Sequence, residues 1–324
     1  MKPSNRFFIS AVALLFVAGT TIDARAITFS LSLPSPTPFM GDEILVDPGA
    51  PAPAPAATII PAAGAAETDA FTYAHFGTAD ETTLYFSVDS GSAGAVGSAV
   101  ALEAAGAGGG PGDHPADVFA STGAGLNFLV WDGDGVANPG AAANIGIVEP
   151  VALPGDNLDG LDMRIPGIDI YWSVDPATIA GSPPYAGGSP ANIYISPVAP
   201  GYSGGPFGVY ALEAALGLLP GDDIDALEIL EDGVPGFLIG ADSILFSLAP
   251  GSATLLGLGA SGADVLGVGG VFGPAPVVVA PAGALGLLPT DNIDAFALDV
   301  IPEPGRALLL ALGAIAVFAR RRRI

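Results

Sequence analysis

Leu219-Pro220-Gly221-Asp222-Asp223-Ile224-Asp225-Ala226-Leu227 decides how this chain is read, because the same phrase stands in it three times. Leu153-Pro154-Gly155-Asp156-Asn157-Leu158-Asp159-Gly160-Leu161 precedes it and Leu288-Pro289-Thr290-Asp291-Asn292-Ile293-Asp294-Ala295-Phe296 follows it. Thr68-Asp69-Ala70-Phe71 is a degenerate first copy. Asp159, Asp225 and Asp294 stand 66 and 69 residues apart. Self-similarity at a nearly fixed period is the mark of a repeat architecture, in which each unit buries its apolar face only against its neighbours.

Three further signatures return in the same order. An aromatic or aliphatic residue before a serine and an aliphatic one after it, suited to a half-buried strand, occurs as Thr28-Phe29-Ser30-Leu31, Tyr85-Phe86-Ser87-Val88, Tyr171-Trp172-Ser173-Val174 and Leu245-Phe246-Ser247-Leu248. A turn leading into a strand occurs as Gly41-Asp42-Glu43-Ile44, Pro115-Ala116-Asp117-Val118, Pro190-Ala191-Asn192-Ile193 and Gly262-Ala263-Asp264-Val265. A looser aliphatic run occurs at Thr58-Ile59-Ile60, Ile147-Val148, Val209-Tyr210-Ala211-Leu212 and Val277-Val278-Val279. The spacing predicts four units of about four short strands each, over residues 27–72, 84–163, 170–230 and 244–299. Helical periodicity is weak apart from a turn at Ala211 to Leu219. The fold class is therefore all-β: a four-bladed β-propeller, with a two-sheet β-sandwich of duplicated halves as the alternative. Unit two carries insertions at Ala104 to Gly112 and Trp131 to Asn144, and Pro51 to Pro55 reads as an extended polyproline II piece.

The two ends are read apart from this body. Lys2 and Arg6 precede the apolar run Phe7 to Gly19, and Ala24-Arg25-Ala26 supplies a small-x-small cleavage site at Ala24 and Ala26. Residues 1–26 are expected to be a secretory signal peptide; a permanent anchor is the alternative, though the run is short for a span. At the other end, Pro302-Glu303-Pro304 stays out of helix and sheet, since neither proline donates a backbone hydrogen bond and each biases the residue before it towards an extended form. Ala307 to Ala319 is an uncharged apolar run, expected to be a transmembrane helix whose reach the flanking arginines extend. Arg320, Arg321, Arg322 and Arg323 then hold that end in the cytoplasm.

This order of parts over residues 300–324 resembles the PEP-CTERM sorting signal of exported bacterial proteins. The resemblance implies that an exosortase-type membrane enzyme cuts near Pro302-Glu303-Pro304 and that the secretion machinery and the inner membrane are transient partners. It implies delivery of the body to the cell surface or to an extracellular matrix of exopolysaccharide. An ordinary tail anchor is the other reading of the same residues.

The body is a polyanion. Of the 33 acidic residues in the chain only Asp23 and Glu303 lie outside Ile27 to Ile301, so 31 remain there, against Arg164 alone among the cationic residues. Such a surface repels nucleic acid and anionic lipid and favours cations; adaptation to a saline medium would leave the same mark. No cysteine is present, so neither disulfides nor thiol chemistry contribute. The 50% apolar content separates the chain from disordered sequences, despite 46 glycines and 31 prolines.

Chemistry is best supplied at the repeated turns. Asp156, Asn157, Asp159 and Asp162, then Asp222, Asp223, Asp225 and Glu228, then Asp291, Asn292, Asp294 and Asp299 cluster oxygen donors near a Pro-Gly or Pro-Thr turn. Calcium takes six to eight oxygens, and clustered carboxylates supply them. None of these loops has the spacing of an EF-hand, and Asp or Asn beside Gly also builds ordinary turns, so calcium and turn chemistry both stay open. Asp132-Gly133-Asp134-Gly135 is a second candidate, resembling the start of a calcium loop but without its terminal glutamate. Calcium is the sole cofactor the residues suggest. Trp131, beside Asp132, is a candidate sugar-stacking platform, whereas Trp172 at the repeated strand position is expected in the core. His75 and His114 are the only histidines, with no Gly-x-Ser-x-Gly elbow and no paired zinc ligands. The expected function is that of an exported, non-catalytic structural protein of the cell surface or matrix. The alternative is a calcium-dependent carbohydrate-binding or adhesion module, and an extracellular hydrolase comes third.

Overall fold

Short runs of aliphatic, aromatic and small residues, each entered through a turn, can hide both faces only if further sheets stack on either side of them. That is the arrangement found in the computed structural model. It describes residues 25–32, 36, 43–46, 54–58, 67–73, 75–76, 83–105, 114–121, 127–133, 143–144, 157–165, 169–181, 185–197, 207–231 and 236–300. Ala26–Asp299 form one compact unit, and the other unit, Met1–Arg25 with Val300–Ile324, is described only at Arg25 and Val300.

The strands build four sheets arranged as the blades of a four-bladed β-propeller. From the axis outwards, blade I is Ile293–Val300, Arg25–Leu31, Glu43–Val46 and Ala54–Thr58. Blade II is Thr68–Thr72, Leu84–Val88, Val118–Ser121 and Asn127–Asp132. Blade III is Leu158–Ile165, Asp169–Val174, Ile193–Pro197 and Gly208–Ala211. Blade IV is Ile224–Leu230, Ser243–Leu248, Val265–Gly269 and Gly273–Ala280. Neighbouring strands among the outer three of blade I and the four of blades II, III and IV are antiparallel, and the two-residue strands His75–Phe76 and Ala143–Asn144 add in parallel to blades III and II. Four sheets exclude the two-sheet sandwich.

The inner strands of blades II, III and IV pack against one another. Blade I completes the ring: Ala295 and Ala297 share a core cluster with Phe71 of blade II, and Phe296 shares one with Ala226 of blade IV. Blades II to IV each take the inner strand from the acidic phrase and the next three from the sequence that follows; blade I pairs the last phrase with three strands from the start of the body. The second strands bury Phe29, Phe86, Trp172 and Phe246 completely between blades, each worth roughly 1.5–3 kcal/mol of apolar transfer.

The repeated serine of these strands has a specific task. Ser30 Oγ donates to the Thr68 carbonyl at 3.2 Å, Ser87 to Leu158 at 3.0 Å, Ser173 to Ile224 at 3.0 Å and Ser247 to Ile293 at 2.8 Å. Every blade is thus bolted to the inner strand of the next, around the full ring.

Some expectations change. The fourth strand of blade II is Asn127–Asp132, so Trp131 belongs to a strand and not to an insertion; Ile147-Val148 lies outside the described residues. The turn at Ala211 to Leu219 is the 3-10 turn Glu213–Leu216. Helices Ala99–Ala104, Pro176–Gly181 and Ala253–Leu258 follow the second strands of blades II to IV; six residues are too few to carry a legible 3.6-residue period. Among the described residues no helix is long and apolar enough to cross a membrane. The apolar runs of both ends, Ala24, Pro302, Glu303, Pro304 and Arg320–Arg323 lie outside them.

Candidate metal centre

The acidic phrase delivers one aspartate per blade to the axis by a local irregularity. In blade II the ladder passes from Thr68↔Val88 to Ala70↔Ser87, in blade III from Leu158↔Val174 to Gly160↔Ser173, and in blade IV from Ile224↔Leu248 to Ala226↔Ser247. Asp69, Asp159 and Asp225 are the residues skipped. A bulge of this kind leaves its extra residue unpaired and re-aims the side chain. Asp294 occupies the same place in blade I. The carbonyl just before each aspartate is the one held by a serine bolt, so the backbone under all four is fixed from the neighbouring blade.

A second tier lies two residues upstream: Asn292, Glu67, Asn157 and Asp223 in blades I to IV. Hydroxyls from the segments after the second strands fix three of these. The Glu67 amide donates to Ser92 Oγ at 2.9 Å, the Asn157 amide to Thr178 Oγ1 at 2.8 Å and the Asp223 amide to Ser252 Oγ at 3.3 Å. The two asparagines turn their amides to the aspartates, Asn157 Nδ2 donating to Asp159 Oδ1 at 3.1 Å and Asn292 Nδ2 to Asp225 Oδ2 at 2.7 Å.

The electrostatics of this hub are those of an anion cage without a counter-charge. Asp69, Asp159, Asp225 and Asp294 are each 7–8% exposed. Burial first, and neighbouring carboxylates second, raise the pKa values of Asp69, Asp159 and Asp294 well above the usual carboxylate range. Asp223 is pushed up to about 8 by burial and by Asp225 and Asp175. Asp225 is pushed up to about 7 by burial, with the Asn292 amide opposing. Five buried oxygens here, Asp69 Oδ2, Asn157 Oδ1, Asp223 Oδ1, Asn292 Oδ1 and Asp294 Oδ2, have no hydrogen-bond partner. Unpartnered buried acceptors of this kind cost about 1–3 kcal/mol each unless something positive meets them. Asp159, Asp223 and Asp225 each offer an oxygen within 4.8 Å of the other two.

A hard divalent cation fits this donor set. All the donors are carboxylate or amide oxygens, which suits calcium and gives zinc neither nitrogen nor sulfur. Calcium's tolerance of six to eight oxygen ligands in flexible geometry also suits donors drawn from several blades better than the near-ideal octahedron magnesium demands.

The sequence candidates separate into two kinds. Asn157, Asp159, Asp223, Asp225, Asn292 and Asp294 converge at the hub. Asp222 instead closes its own turn, accepting from Leu219 N at 2.7 Å, from Thr254 N at 3.0 Å and from the Thr254 hydroxyl. Asp291 does the same with Leu288 N at 2.8 Å. Both readings of the phrase therefore apply, to different positions in it. Asp162 accepts from the backbone amides of Met163 and Ile229 and from the Thr72 hydroxyl. Asp132 ends the outer strand of blade II, away from the hub, where Gly133 N donates to Asp117 at 3.0 Å; Asp156 and Asp134 lie outside the described residues. Trp131 is 7% exposed and packs on Tyr85 with ring centroids 5.7 Å apart, so it offers no sugar platform. Trp172 is in the core as expected. Asp69 and Glu67 are the hub residues that the candidate set lacks. Aligning Thr68-Asp69-Ala70-Phe71 on the later copies would have found both.

No family model matches this chain. No curated protein matches it either.

Proposed function

We propose that the protein is an exported, non-catalytic scaffold of the cell surface or extracellular matrix, whose propeller body is held together at its hub by bound calcium. The convergence of one buried aspartate from every blade carries the metal part of this reading. The strongly anionic body and the order of parts in residues 300–324 support the rest: sorting through Pro302-Glu303-Pro304 by an exosortase-type enzyme, transient contact with the inner membrane, and association with exopolysaccharide. An adhesion module that grips sugar through Trp131 is disfavoured, because that ring is covered.

Thermal melting of the calcium-stripped protein, repeated with millimolar calcium, tests the metal. A site of micromolar affinity adds about 4 kcal/mol at that ion excess. Superimposable melts would remove calcium from the proposal. Sorting is tested by intact mass and cell fractionation with Pro302-Glu303-Pro304 intact or changed to alanines. Loss of the tail and release from the inner membrane, both blocked by the change, are expected; a retained C-terminus in both versions would mean a plain tail anchor.

A further inference from the structure

The second tier of the hub alternates around the ring: amide in blade I, acid in blade II, amide in blade III, acid in blade IV, supplied by Asn292, Glu67, Asn157 and Asp223. The first tier is aspartate throughout. Together they give the hub a two-fold rather than a four-fold pattern of charge. A half-turn of the propeller exchanges Asp223 with Glu67, Asp225 with Asp69, and Asp159 with Asp294.

One half of this pattern is the three-carboxylate cluster of blades III and IV, Asp159, Asp223 and Asp225. From its symmetry mate, between blades I and II, we infer a second cation site, so that the hub holds two divalent ions and not one. Its own residues argue for it independently of the symmetry. Asp69 and Asp294 are 8% and 7% exposed, and each leaves Oδ2 without a hydrogen-bond partner in the hub. Neither belongs to the cluster of three. The carboxylates nearest in effect to Asp294 are Asp69 and Glu67, those of its own half. Asn292 Nδ2 donates across the border between blades I and IV to Asp225, while Asn157 Nδ2 donates to Asp159 within blade III; across the border between blades II and III, Asp69 is the carboxylate that acts most on Asp159. An ion among Asp159, Asp223 and Asp225 takes no ligand oxygen from Asp69 or Asp294, and Arg164 is the one cationic residue of the body. The ligand class is a hard divalent cation, calcium before magnesium, bound by oxygens of both tiers.

This inference rests on the reading of the hub as a calcium site, and stoichiometry tells the two apart. The full chain, purified in mild detergent and stripped with chelator, is dialysed against calcium at micromolar free concentration in high potassium chloride, which screens diffuse binding to the acidic surface. Bound calcium per chain is then measured by elemental analysis. Two ions are expected. The pair Asp69→Asn and Asp294→Asn retains one, and the pair Asp223→Asn and Asp225→Asn also retains one. A single ion in the unaltered protein, lost with either pair, would overturn the second site and leave the first reading standing. No ion at all would overturn both. The measurement on the unaltered chain needs no variant to fold. Energy transfer between terbium and europium loaded together as calcium substitutes gives an independent readout, expected here and absent from a hub with one ion.

Discussion

At the scale of single residues, His114 is a group whose protonation works against the fold. It is 3% exposed, and burial lowers its proton affinity, with the Ser92 backbone and Asp89 pulling the other way. Its folded-state pKa lies below the ordinary value, so the unfolded chain binds the proton more readily. The stabilising contribution is whole above about pH 6.5 and is lost as the pH falls through that value. Urea unfolding of the calcium-free protein at pH 7.5 and 5.5 should show this loss as a difference between the parent and His114→Gln, because the hub aspartates, whose folded-state pKa values are raised, stabilise the fold of both as the pH falls; the same pH response in parent and variant would remove His114 from the acid sensitivity. Residue types alone also misled at Trp131. Beside Asp-Gly it reads as a loop aromatic, but Asp117 captures the Gly133 amide and draws the strand end inward, and a Cβ at Gly133 would meet Ala116 at 2.7 Å. That long-range contact leaves no local trace in the sequence.

At the scale of elements, the serine bolts make a direct prediction. Ser173→Ala removes a buried donor and leaves the Ile224 carbonyl, directly under Asp225, without its partner. The expected cost is about 1–3 kcal/mol, seen as a lower urea midpoint with an unchanged slope. Calcium affinity should fall with it, because the bulge loses its support. A Ser173→Ala protein as stable as the parent would show that the bolts are ornaments of the repeat. The strands themselves were legible because aromatic-Ser-aliphatic runs and Pro-Gly turns recur with their order kept. The three short helices were not, since Ser98 caps only one turn and a half and no apolar stripe can form in six residues. The bulges were hidden as well. Asp159 and Asp222 look equivalent as turn acids, and only the strand register sends one to the axis and the other to its own turn.

For the whole molecule, charge is the dominant variable. With one arginine against 31 acids between Ile27 and Ile301, the folded state concentrates repulsion that the expanded chain relieves. Raising potassium chloride should therefore raise the melting temperature of the calcium-free protein, and by less once calcium is bound, because the hub is then neutralised directly. A melting temperature indifferent to salt in both states would mean that the surface charges are too dispersed to matter. Composition showed this polyanion at once. That its interior acids meet on one axis needed the ring, since each phrase read alone offers too few oxygens for an ion.

Blade I joins Arg25–Leu31 to Ile293–Val300, and this pairing sets the order of events during biosynthesis. The ring cannot shut until the strand at 293–300 has left the ribosome, by which time three blades are already made. A contact spanning more than 260 residues is slow to form, so the chain stays open and threadable for the longest interval its length allows. In the export proposed above, one pair of strands would keep the chain threadable before translocation and close the ring after it.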